Sequence, residues 1–201
     1  NRIIDDCLDQ VSADYGNTIL KSSARNEYMI ERTRRILRRT VWALQEQLKH
    51  GAFRPEGFEV RFQGGRIDRV DIMEEPENNR VYVKVIDYKT GNTSFDLLAL
   101  YHGLQLQLMV YLDGALQVEK RKYPDREIVP AGVFYYNVKD PMIQEKIHAD
   151  MESINEQMLK KMKMNGLVQA DDNMSTKIDS TMASIPVSLN RDGSFSKRSS
   201  V

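Results

Sequence analysis

Two aspartates and a lysine, Asp68, Asp87 and Lys89, stand at the ends of two runs that alternate polar with apolar residues. The runs cover residues 66–73 and 80–89, and segment 74–79 between them is polar, with one proline and two asparagines. Val, Ile and Tyr at period two around such a turn predict an antiparallel hairpin. Side chains alternate faces along a strand, so Val81, Val83, Val85, Asp87 and Lys89 share one face, as do Asp68, Val70 and Ile72 on the first run. Matching the apolar faces sets Val70 against Val85 and Ile72 against Val83, and Asp68 then opposes Asp87. Opposed Cβ atoms lie roughly 4.5–5.5 Å apart, close enough for two carboxylates to share a divalent cation. A slip of two residues would leave them diagonal neighbours, still within bridging reach.

Like charges this close repel unless a proton or a metal intervenes. A hard cation such as Mg²⁺ or Mn²⁺ removes the repulsion and completes its octahedron with water and phosphate oxygens. Lys89 would then orient an attacking water or neutralise charge developing on phosphorus. The alternative is a purely structural rim, with Asp87 paired to Lys89 and Asp68 to a nearby arginine. Arg66 and Arg69 flank Asp68 and are expected to support the site or meet DNA. Asp71 points to the other face, opposite Lys84, where a cross-strand ion pair is expected; Arg69 falls opposite Ile86. Tyr88 also faces away from the carboxylates.

These residues resemble the PD-(D/E)XK nuclease signature. The strings GRIDRVD and VIDYKTG, followed by GLQLQLMVYL at 103–112, are similar to the RecB-type branch of that superfamily, and most of all to the AddB nuclease domain of bacterial AddAB helicase–nucleases. Phe53-Arg54-Pro55, Glu59 and Phe62 ahead of the hairpin, Pro130-Ala131-Gly132 and the Ser196 region extend the likeness over most of the chain. The resemblance implies an α/β, restriction-endonuclease-like αβββαβ core, a small mixed sheet flanked by helices. It also implies Mg²⁺-dependent exonuclease chemistry in double-strand-break repair and recombination. In that reading Asp68, Asp87 and the Tyr88 backbone carbonyl hold the metal, and Lys89 assists the water. Gln107 and Tyr111, four residues apart on one helix side, brace Lys89 or touch the DNA strand; from spacing alone they read as a helix-edge amide and a core tyrosine. The implied partners are a single DNA strand from an unwound end and an AddA-like motor subunit. The family also carries an iron–sulfur cluster on four cysteines, which the single Cys7 cannot build. Two other readings stay open: a DNA-guiding scaffold without chemistry, and a stand-alone restriction-type endonuclease.

Composition sets the frame. Net charge is zero, with 29 basic and 29 acidic side chains among 201 residues, so any nucleic-acid contact must come from local patches. One cysteine excludes an internal disulfide and suits a reducing bacterial cytoplasm. No phosphate-binding GxxxxGK loop, no signal peptide and no long apolar run is found, so neither ATP hydrolysis by this chain nor a membrane is expected. The opening on Asn1 suggests a fragment of a longer protein, and 1–201 reads as a single domain.

Helices are expected within the lead-in 1–24, with Cys7 as a small core residue, and at 25–50. The second would carry the stripe Met29, Thr33, Ile36/Leu37, Val41, Leu44 and Leu48, with Arg32, Arg34, Arg35, Arg38 and Arg39 facing solvent or phosphate. A strand at 57–62 leads into the hairpin through a junction shorter than the resemblance implies; Glu59 reads as a strand-edge carboxylate or a third ligand. A helix from about 96 to 119 would bury Leu104, Leu108, Tyr111, Ala115 and Val118, with His102 at the surface. Then come a strand at 129–139 begun or edged by Pro130 and a long helix from Ile143 to Gly166. The methionines from Met151 onward fill core, and 167–201 is irregular apart from a hairpin turn around residues 190–193.

Overall fold

In the computed structural model, residues 2–14, 23–143, 150–170, 173–196 and 199 are described. Helices α1 (Arg2–Asp14) and α2 (Ala24–Lys49) precede the strands β1 (Arg54–Phe62), β2 (Gly65–Glu75) and β3 (Arg80–Lys89). Helices α3 (Leu97–Tyr101) and α4 (Gln107–Lys122) lead to β4 (Glu127–Asn137), followed by α5 (Met151–Lys161), β5 (Asn165–Val168) and α6 (Met174–Ile178). The strands form one mixed sheet in sequence order, with β3 and β4 parallel and the other neighbours antiparallel. Helix α4 belongs to the crossover that a parallel pair requires. The fold is α/β, a five-stranded mixed sheet flanked by helices.

The hairpin register is the one the apolar pattern demands: Val70 pairs with Val85, Ile72 with Val83, Asp71 with Lys84 and Arg69 with Ile86. Val70, Val85, Ile72 and Val83 are fully buried, and a one-residue slip would send each to the wrong face. The sheet separates two cores. Beneath α4 lie Val70, Val83, Val85, Leu108, Ala115 and Tyr135. On the α2 side lie Ala43, Tyr82, Ile86, Phe134, Tyr136 and four methionines, Met158, Met162, Met164 and Met174. Each large apolar side chain contributes on the order of 1.5–3 kcal/mol when fully buried.

A charged triad is buried on this side. Arg69 donates through Nε and Nη2 to the two oxygens of Asp71, at 2.5 and 2.8 Å, and Lys84 Nζ lies 3.0 Å from Asp71 Oδ2. All three are buried. The expectation that Arg69 supports the site or meets DNA does not hold; it is enclosed on the opposite face of β2, held by the bidentate geometry a carboxylate offers a guanidinium.

Several expected elements differ. The helix foreseen over 96–119 is broken at His102-Gly103, where Gly103 takes φ +74°, and Leu104 is exposed instead of buried. Pro130 does not open a strand; it lies inside β4 beside a register shift opposite Val83, at a point where β4 is still the sheet edge because β5 begins its pairing only at Gly132. Residues 141–143 are outside any helix and 144–149 lie outside the described residues; the helix is α5 alone, ending at Lys161. Gly166 is not a helix stop but part of β5, where a Cβ would sit 1.9 Å from the Val133 carbonyl oxygen. In the 167–201 extension α6 is regular: Ala52 N–H donates to Lys177 O and Ser180 N–H to His50 O, both at 2.8 Å, closing the C-terminal end of α2. Leu189 bridges Phe195 across the turn at 190–193. Met29 is exposed, and α2 instead sinks Thr40 and Ala43. Cys7 is also exposed, on an apolar cleft between α1 and α2.

Four of the α2 arginines are spent inside the protein. Arg34 pairs with Asp5, Asp9 and Glu31, and Arg38 with Asp5, tying α2 to α1, while Arg35 and Arg39 pair with Asp140 after β4.

Replacing Asp71 with leucine strands two buried cations. A loss of about 3–5 kcal/mol is expected, read as a lower urea midpoint. A midpoint within experimental error of the parent would show the triad to be dispensable.

Candidate active site

The β2–β3 ladder ends at Arg69 and Ile86. The next main-chain donor, Tyr88 N–H, is met by a side chain: Asp68 Oδ2 accepts it at 2.8 Å. Asp68 is thereby anchored on β3 beside Asp87, whose side chain shares the face of Val83 and Val85. Asp87 is 3 % exposed. Lys89 Nζ lies 2.7 Å from Asp87 Oδ2, an ion pair rather than an aligned hydrogen bond, and among the described residues no donor is aimed at that oxygen.

The lysine is steered from α4. Lys89 Nζ donates to Gln107 Oε1 at 2.8 Å, and Gln107 Nε2 donates to Tyr111 Oη at 3.0 Å. The four-residue spacing sets Gln107 and Tyr111 one turn apart, so the relay runs along the helix axis. Tyr111 is in turn fixed by the edge of the Phe62 ring, with centroids 5.9 Å apart. Gly114 makes room for this: a Cβ there would stand 2.4 Å from a Phe62 ring carbon. The Tyr135 ring on β4 completes the surroundings, its centroid 5.3 Å from Lys89 Nζ. Neither Tyr135 nor Phe62 stands out as a site residue in the sequence. Tyr135 pairs with Asp87 through the parallel register, a long-range contact that leaves no local pattern.

Burial pushes the Asp87 carboxyl above the usual carboxylate range; the ammonium of Lys89 opposes this and the charge of Asp68 adds to it. Burial also works against the Lys89 ammonium, but attraction to Asp87 outweighs it and holds that pKa above the ordinary lysine value. Lys89 is therefore a cation at neutral pH.

Of the other expected residues, Arg66 is exposed and pairs with Glu59 at 2.5 Å. Glu59 adopts φ +53°, a left-handed conformation unusual for a residue with a side chain, and this pairing makes it a strand-edge carboxylate. The Tyr88 ring packs edge-on against Tyr136 with its hydroxyl 3.3 Å from Arg69, away from the carboxylates. His102 is exposed, and Cys7 lies on α1 far along the chain from the hairpin.

The chain matches the family model of the PD-(D/E)XK nuclease superfamily over residues 1–191. It belongs to that superfamily. Curated relatives agree over nearly its whole length. The B subunit of an ATP-dependent helicase/deoxyribonuclease from Lachnoclostridium phytofermentans is 44% identical over 216 residues, covering 97% of this chain and 18% of the relative. Proteins of the same name from Alkaliphilus metalliredigens and Clostridium acetobutylicum are 36% and 34% identical, covering 100% and 96% of this chain. The chain thus spans less than a fifth of the length of the relatives it matches.

Nucleases of this superfamily use divalent metal ions. Among the described residues no three His, Cys, Asp or Glu side chains gather as a ready-made metal cage. What the site offers is two acidic oxygen donors, Asp68 and the buried Asp87, with the Lys89 ammonium beside the second. This set fits Mg²⁺, which takes one or two carboxylates and keeps water or phosphate in its remaining positions. An iron–sulfur cluster does not fit, because it needs several thiolates and Cys7 is the one cysteine.

Cutting the relay tests its purpose. Gln107→Ala is expected to lower nuclease turnover by about 10–100-fold, as loss of a group that orients a catalytic residue does. Tyr111→Phe, which removes one hydrogen bond of about 0.5–1.5 kcal/mol, should cost less than about tenfold. Equal rates for parent and Gln107→Ala in a nucleotide-release assay would reduce the relay to packing.

Proposed function

We propose that this chain is the Mg²⁺-dependent DNA exonuclease domain of a two-subunit helicase–nuclease acting in double-strand-break repair and recombination. The observation that carries the reading is the polar line Asp68, Asp87, Lys89, Gln107 and Tyr111, in which a buried carboxylate lies 2.7 Å from an ammonium that is itself held in place by a dedicated amide. Asp68, Asp87 and the Tyr88 carbonyl are the metal ligands, with Mn²⁺ as an acceptable substitute for Mg²⁺. Such an ion, when bound, supplies Lewis acidity to the scissile phosphate and lowers the pKa of an attacking water.

The remaining work falls to the protein. Asp68 is held by the Tyr88 amide and cannot swing away. Lys89 keeps its proton and places positive charge where the pentavalent phosphorus accumulates negative charge, an effect strengthened by the low dielectric around Asp87. Gln107 accepts from Lys89, and its own amide is oriented by Tyr111, so the ammonium is aimed before DNA arrives. Chemistry on the backbone requires no reading of bases, so cleavage independent of sequence is expected. The names of the relatives support placement with an ATP-driven motor that delivers unwound single strands, AddA-like in kind, in the cytoplasm of a bacterium. Among the described residues no helix is long and apolar enough to cross a membrane.

Calorimetry with Mg²⁺ on the parent, Asp68→Ala and Asp87→Ala, alongside degradation of linear DNA, tests this directly. The parent should bind and degrade, and each alanine variant should do neither. Lys89→Met should bind metal yet lose about 10²–10³ in rate, the range for removing one donor to a transition-state charge. Parent and alanine variants binding metal equally would make the carboxylates structural. Metal binding by the parent with inert DNA would favour a guiding scaffold, and cutting of closed circles a stand-alone endonuclease.

A further inference from the structure

Beyond the ends of β3 and β4 opens a cleft of about 640 Å³. Its walls carry Lys139, Lys160, Lys161 and Lys163, and the rest of the lining is amide, hydroxyl or small apolar, with no acidic and no aromatic side chain. The cleft is built onto the candidate active site. Lys89 pairs with Asn137 in the parallel register, and Val138 N–H donates to Lys89 O at 2.7 Å. The Asn137 side chain then clasps Thr93, accepting from its N–H at 3.2 Å and donating to its carbonyl at 2.9 Å. Asn137 and Thr93 both line the cleft, so one wall is the chain segment leaving the catalytic lysine.

The lysines are poorly matched inside the protein. Lys139 has no polar partner among the described residues. Lys163 is half-buried, its one hydrogen bond among the described residues goes to the Val187 carbonyl at 3.5 Å, and burial pushes its ammonium pKa down, with the charge of Asp179 opposing. Lys161 donates to the Met142 carbonyl. Lys160 alone meets an acid, Glu156, in a pair 66 % and 68 % exposed, of the kind worth little. The contrast is with α2, where Arg34, Arg35, Arg38 and Arg39 all have acidic partners. A partly desolvated group of ammoniums with little counter-charge gains most from a polyanion. Lysines with amides and hydroxyls, and no ring for a base to stack on, suit phosphate and sugar rather than base edges.

We propose that this cleft seats the sugar–phosphate backbone of a single DNA strand where it runs past Lys89. The assignment deepens the nuclease reading and rests on it for the identity of the strand. The lysines act as backbone contacts that set the strand's path and take no part in bond breaking.

The test measures anisotropy of a labelled mixed-sequence single-stranded oligonucleotide in EDTA, across a salt series, so that no cleavage intervenes. Each lysine contact removed should lower the slope of log affinity against log salt by about 0.7. Lys139→Gln is a surface change that leaves the fold intact, and Lys139→Gln with Lys163→Gln should lose about 1.4, or about 25-fold in affinity at 0.1 M salt. Asp87→Ala should leave this slope unchanged. Slopes equal to the parent's in both lysine variants would overturn the cleft assignment, even if the parent degrades DNA. A reduced slope with a parent as inert as Asp87→Ala would leave the cleft standing and remove the nuclease reading.

Discussion

Asp87 is an ionisable group placed almost out of reach of water, beside a second carboxylate, with an oxygen that receives no aligned donor. The chain also contains a buried carboxylate handled the opposite way. Asp179 accepts from the N–H and hydroxyl of Thr181 on one oxygen and from those of Ser184 on the other, at 2.6–2.9 Å. Burial opposes its charge, yet those donors bring its pKa below the usual value. The contrast separates a carboxylate held by four neutral donors from one whose buried charge is met by the Lys89 ammonium alone. Neutral donors were within the means of this fold, and at Asp87 they were not supplied.

Much of the surrounding architecture follows from keeping that unsatisfied position rigid. The apolar pairs Val70–Val85 and Ile72–Val83 lock the register that brings Asp68 beside Asp87. The parallel pairing of β3 with β4 carries Tyr135 and Asn137 to the same end, and the crossover that such pairing demands supplies α4 with Gln107 and Tyr111. Phe62, seated over Gly114, then fixes Tyr111 from β1. On the other face of the same two strands, Arg69, Asp71 and Lys84 form a closed triad in which every charge has a partner. One face of the hairpin encloses its charged groups completely, while on the other only Asp87 is buried and Asp68 and Lys89 stay partly exposed.

The sequence carried the hairpin register because period two matches the two apolar faces; the four-residue step set Gln107 and Tyr111 on one helix side, and their grouping with Lys89 came from the family resemblance alone. What it could not carry was set by distant partners. Asn165–Val168 reads as the tail of a helix, and its strand character comes from pairing with residues 132–135. Leu104 continues the apolar stripe on paper, yet Gly103 at positive φ ends α3 and turns it to solvent. Arg69 beside Asp68 has the look of a phosphate contact, and only the depth of the α2-side core shows why it pairs with Asp71 instead. Cys7 follows helical spacing, but α1 is a surface helix whose apolar side meets one neighbour, and the thiol stays outside.

A net charge of zero hides this distribution. In α1, α2 and the hairpin the opposite charges lie close enough in space to cancel locally, as in the pairs of Arg34 and Arg38 with Asp5. Past the ends of β3 and β4 the cancellation fails, because the lysines following β4 and those closing α5 arrive from segments distant in sequence with a single exposed acid among their partners. Screening over roughly 10 Å at ordinary salt means that a strand at this end of the sheet senses those lysines and not the protein's average. Local imbalance at the end of the sheet that also holds Asp87 and Lys89 is therefore what draws a polyanion to this side of a neutral molecule.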